Sequence, residues 1–156
     1  MRGAMDDGVN LCRPWLEADR RPDGTDDATV AAVGKLGEAV EWIERARGRL
    51  YDFHQMSGHA DRLLGEAADA LAGAGHHELA DRIQIDLVGR NVLEGRWTFQ
   101  IVEEYDSTYW EPVRSARKAI ESRLVAGRLH VHESEMKERR RTPDRRHHEQ
   151  RPDAGA

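Results

Sequence analysis

Arg90 and Glu94 stand four residues apart in the stretch GRNVLEGRWTFQIVEEYD, residues 89–106. On a helix that spacing sets two side chains on one face. The apolar stripe read through this region is Leu79, Ile83, Leu87, Arg90, Glu94, Trp97, Ile101 and Tyr105, so two charges interrupt a core-facing row. A charge in that position is costly unless paired. The stripe of a preceding helix, Leu36, Val40, Ile43, Arg47, Leu50, His54 and Ser57, is also interrupted, at Arg47 and His54. In an up-down-up arrangement with the usual helical rise, Arg90 comes level with His54. The expected site is a small pocket lined by His54, Arg90, Asn91 and Glu94, closed by Trp97 and Tyr51. Arg90 would grip an anion through two parallel hydrogen bonds, and His54 would exchange protons near neutral pH. The same residues also suit an internal ion-pair network that fixes helix register, since interior polar groups must be paired in either case.

A second constellation is carboxylate-based. Glu38-x-x-Glu41 is followed by Glu66-x-x-Asp69. This spacing is similar to the E-x-x-E…E-x-x-D signature of the MazG-like all-α nucleotide pyrophosphohydrolases. The resemblance covers those four residues. It implies magnesium held by the four carboxylates against a nucleotide's phosphates, and clustered oxygen ligands are what magnesium requires. Helical geometry turns the four away from the neighbouring apolar stripes, which argues for solvated faces. A di-iron bundle would need a pair of Glu-x-x-His units, and none is present. The paired histidines, His76 with His77 and His147 with His148, fall in a connection and a tail. The sequence has no phosphate-binding glycine loop and no nucleophile elbow. Neither a metal nor an organic cofactor is expected.

These residues need helices to position them. The chain has 156 residues, 38% apolar and 34% charged, a balance suited to long amphipathic helices. Residues 128–156 carry eight Lys/Arg against six Asp/Glu, and the remainder carries 16 against 23. An acidic body argues against nucleic acid as the main partner. The lone Cys12 points to a reducing compartment. No apolar run has the length of a signal core or a membrane span. A cytoplasmic setting is therefore expected, with no membrane partner.

The expected fold is all-α, an up-and-down bundle of three to four helices over residues 27–127. Residues 1–26 are read as a disordered tail. Residues 128–156 are read as a largely disordered basic, His-rich tail with a short helix near Glu133–Arg141. The first helix runs from about Asp27 to Ser57 and breaks at SGHAD, 57–61; the second covers His59–Ala72. GAGHH at 73–77 connects to a third helix reaching Tyr105, and DSTYWEP then turns the chain. A fourth helix starts near Pro112 and stops at Gly127, since proline suits a helix's first turn and glycine its end. The stagger of these helices leaves Val30, Val33, Leu36 and Val40 without a neighbour. The expected function is a non-enzymatic interaction or regulatory module that pairs through its first helix, as a homodimer or with another protein. The alternatives are the magnesium-dependent pyrophosphohydrolase and a bundle binding a small anion at the Arg/Glu/His pocket.

Overall fold

The computed structural model describes residues 19–143 and 145–149. The expectations placed on Cys12, Trp15 and Leu16, and on disorder in residues 1–18 and 150–156, lie outside them. Among the described residues the protein is an all-α helical bundle. The helices are α1 (Asp27–Gly73), α2 (His77–Asp86), α3 (Thr98–Tyr105), α4 (Glu111–Leu124) and α5 (Val131–Arg140). They fall into two compact units. One is built from residues up to Ala39 together with those from Ala116 onward, and the other is Val40–Ser115.

α1 is a single helix of 47 residues, with no break at 57–61. Its start is fixed by Asp26, whose Oδ1 accepts from the Thr29 N–H at 2.7 Å, as a capping side chain does. Hydrogen bonds from Thr29 hold the Asp26 carboxyl below its ordinary range. The helix persists through Ser57–Asp61 because the inward row simply continues there in polar residues. From Val40 a row of less exposed positions runs through Ile43, Arg47, Leu50, His54, Ser57, Asp61, Leu64, Ala68 and Leu71, with Phe53, Gly65 and Ala72 half-buried beside it. Their alternating steps of three and four make a seven-residue repeat. The far end closes as a Schellman motif. Gly75 has φ +86°, its N–H bonds to the Ala72 carbonyl, and the His76 N–H bonds to the Leu71 carbonyl. The expected GAGHH connection is in place.

The third helix expected over 77–105 is not continuous. α2 ends at Asp86, and residues 87–97 form a loop. Gly89 and Gly95 both adopt positive φ, +74° and +70°. A right-handed helix does not accommodate that conformation, and glycine enters it without steric cost. Leu93 and Arg96 bridge across the Glu94–Gly95 turn, with the Arg96 N–H on the Leu93 carbonyl at 3.2 Å.

DSTYWEP does not turn the chain either. Asp106–Trp110 is a π-helical segment joining α3 directly to α4. Pro112 supplies the reason. It has no N–H to offer the carbonyl four residues back, and its ring crowds that carbonyl, so the turn widens. The Glu111 N–H reaches five residues back, to Asp106.

In the first unit, Val30, Val125 and Val131 form the buried cluster, with Val33 packed against it. Val125 has no exposed surface. Val40, expected to lie uncovered, is 4% exposed within the second unit, and Val30, likewise expected to lie uncovered, is only 3% exposed in the first. The short C-terminal helix is therefore part of the core: α5 contributes Val131 and approaches α1 where the chain has Gly34. A Cβ at Gly34 would stand 2.6–2.9 Å from His132 side-chain carbons. The buried acids Glu135 and Glu121 of this unit are paired. Arg21 grips Glu135 through Nε at 2.6 Å and Nη2 at 2.7 Å, and Arg117 meets Glu121 at 2.7 Å.

Candidate interaction face and the polar ladder beside it

In the second unit the polar members of α1's inward row are met by the returning chain. Arg47 donates to Asp106 through Nε at 2.6 Å and Nη2 at 2.7 Å. His54 Nδ1 lies 2.8 Å from Thr98 Oγ1. Asp61 accepts from the Gly89 N–H at 2.7 Å. A crevice beyond them is lined by Leu71, Leu79, Ile83 and Leu87 together with Arg82 and Asp86. As the α1 number rises its partner's falls, so the chain runs back antiparallel and each polar step is a register mark.

Arg47 is the centre of this ladder. Its guanidinium also lies over the rings of Trp110 (4.2 Å) and Tyr51 (4.9 Å), and Arg114 lies over Trp110 at 4.4 Å. At such distances the cation is drawn to the negative face of the ring. Trp110 Nε1 is buried with no hydrogen-bond partner among the described residues. The indole is thus held through its ring system. Tyr105 and Tyr109 meet edge-to-face at 5.5 Å. Burial, above all, raises the pKa of the Tyr105 hydroxyl. Hydrogen bonding to Arg47 lowers the pKa of the Asp106 carboxyl, and the same bond raises that of the Arg47 guanidinium. In both cases the bond favours the charged form. The Nε and Nη2 donors of Arg47 are thus engaged within the chain. This arrangement fixes register.

The expected pocket is placed differently. His54 faces the returning chain, but its partner is Thr98. Arg90, Asn91 and Glu94 lie in the 87–97 loop and are exposed. Among the described residues no side-chain hydrogen bond or ion pair joins Arg90 to Glu94. Trp97 is 60% exposed; it precedes α3, where its N–H bonds to Gln100 Oε1 at 3.0 Å and its ring meets Phe99 edge-on. The loop breaks the helix whose spacing was to bring Arg90 and Glu94 together.

The four carboxylates do not converge. All lie on α1 and are exposed, and Glu38 pairs with Lys35. Glu41 and Glu66 are 25 positions apart on that one helix. At the α-helical rise this is about 38 Å along the axis. Among the described residues no group of His, Cys, Asp or Glu is arranged to hold a metal ion. A cleft in the first unit lined by Arg20, Arg21, Arg128 and Arg139 is internally engaged. Arg21 and Arg139 meet Glu135 there, and Arg128 donates to the Arg20 carbonyl.

What remains unsatisfied is a face of α1. One position before each inward residue runs a second row: Trp42, Ala46, Arg49, Phe53, Met56, Ala60, Leu63 and Ala67. Its steps also alternate four and three. Trp42 is 62% exposed, Met56 64% and Leu63 48%. An open groove along part of it is lined by Trp42, Arg45, Ala46 and Arg49, all from α1 itself. Arg45 lies over the Trp42 ring at 4.8 Å. A helix carrying two adjacent heptad rows has one more apolar face than its own chain covers. The sequence signal is the doublets Leu63-Leu64 and Ala67-Ala68, in which one residue belongs to each row.

No family model, curated protein or solved structure matches the chain. Among the described residues no helix is long and apolar enough to cross a membrane.

Proposed function

We propose that this chain is a non-enzymatic interaction module that offers the outer row of α1 to another helix. The observation that supports this reading is the exposed, seven-residue-spaced row Trp42–Met56–Leu63. Isolated exposed apolar residues are ordinary, but a continuous helical row is the pattern by which helices recognise each other. The self-association expected from the sequence is carried by this row and not by Val30 and Val40, which the chain covers itself. The ladder centred on Arg47 serves it by holding the returning chain on the inward side of α1, which leaves the outer row free.

Photo-reactive amino acids placed singly at Met56 and Leu63, with Gln55 and Arg62 as controls on the polar side, test the reading in cells. Protein adducts are expected at 56 and 63 only. No adducts, or equal yields at all four positions, would contradict it.

A further inference from the structure

The partner can be specified further, resting on the reading above that the outer row docks onto a helix. We infer that the occupant is a second copy of this chain, its α1 laid antiparallel on the first.

The row is self-complementary in size when reversed. An antiparallel heptad pairing layers Trp42 on Ala67, Ala46 on Leu63, Arg49 on Ala60 and Phe53 on Met56. The two-fold axis repeats each layer, giving about eight layers over ~38 Å of helix. In three of the four distinct layers a long side chain meets alanine, which lets the two helices approach closely. Arg49 fits because its stem covers Ala60 while its guanidinium stays in water.

Charge selects the same arrangement. The row flanking this face is Arg45, Asp52, His59 and Glu66. Reversed against itself, Arg45 meets Glu66 as an ion pair, and Asp52 faces His59 as a hydrogen-bonding pair. Both pairs occur twice by symmetry. All four residues are exposed, with Asp52 beside Arg49 at 3.0 Å and His59 accepting from Arg62 at 2.8 Å. A parallel pair in register would instead stack Trp42 on Trp42 and Arg49 on Arg49. Such flanking charges set partner choice and orientation.

Cysteine pairing in the full chain, with Cys12→Ser as background, tests the orientation. Ala46→Cys mixed with Leu63→Cys should form a disulfide-linked dimer on oxidation, and neither variant alone should. Self-linkage of Ala46→Cys would overturn the antiparallel assignment. Charge exchange supplies a second readout. Arg45→Glu or Glu66→Arg alone should weaken association roughly tenfold, since two attractive pairs become repulsive. The double variant Arg45→Glu/Glu66→Arg should recover the original affinity. Failure to recover overturns the proposal. A monomer whose photo-adduct at position 56 contains a different protein overturns the second copy as partner but leaves the docking face. Absence of any adduct overturns both.

Discussion

Val125→Asp is expected to cost about 4 kcal/mol and to lower the melting temperature by about 10 °C. Val125 has no exposed surface and shares one buried cluster with Val30 of α1 and Val131 at the start of α5. A carboxylate there has no donor within this apolar cluster to replace water, so it must ionise at great cost or stay protonated and unsatisfied. Val125→Ala removes two methyls and should cost about 2 kcal/mol, most of it through the cavity left behind. Thermal and denaturant unfolding monitored by circular dichroism measure both. If Val125→Asp shifted stability by less than the alanine variant, the assignment of α5 to the core would be wrong. The result bears on the chain's organisation, because it separates a packed C-terminal helix from the loose tail suggested by its composition.

Removing Arg47 should have the second largest effect. Arg47→Met breaks two charge-assisted hydrogen bonds to Asp106 and the cation over Trp110, for an expected loss of about 2–3 kcal/mol. The figure is held down because both side chains keep a quarter of their surface in water, which screens the pair. Much of the loss is the stranded Asp106, so Arg47→Met with Asp106→Leu should recover at least half of it. The pair also predicts a pH dependence. Asp106 has a folded-state pKa below its unfolded value, through its hydrogen bonds with Arg47. Its contribution is therefore fully present above the unfolded carboxyl pKa of ~3.9 and is lost as pH falls through the folded value. The stability gap between the wild type and Asp106→Asn should be wide at neutral pH and close in acid. A gap that does not change with pH would mean that the ion pair contributes nothing, and a double variant no better than Arg47→Met would mean that the pair is not the source of the loss.

The start of α1 near Asp27 and the turn at Gly73–His77 are readable in the sequence because capping and left-handed glycine are local effects, set by a few neighbours. The polar steps Arg47 and His54 are also visible as departures from an apolar row. Their partners are not. Asp106, Thr98 and the Gly89 N–H are brought to them by a returning chain whose course depends on one loop. In a continuous helix Gly89 and Gly95 would be weak points costing ~1 kcal/mol each. Both instead take positive φ, and that choice removes Arg90, Asn91 and Glu94 from the interior. Ser57-Gly58 carries the opposite error. It resembles a break, yet a seven-residue repeat runs through it once Ser57 and Asp61 are admitted as inward positions. The outer row is hidden for a related reason. Ala46 and Phe53 merge with Ile43 and Leu50 into one stripe, and two adjacent rows one residue apart resemble a single broad face. Pro112 reads as a helix start because it often begins one, but the widened π turn before it lets the helix pass through.

The most direct test of the paired outer row is sedimentation of the unmodified full chain across the micromolar range, beside the variant Leu63→Glu. Leu63 is half exposed and lies outside the inward ladder, so the substitution should leave the helices intact by circular dichroism. The wild type should sediment at twice its 17.7 kDa chain mass, and Leu63→Glu at the chain mass itself. A wild type that stays at 17.7 kDa throughout, or a Leu63→Glu variant that dimerises as well as the wild type, would contradict the pairing of α1 through this row.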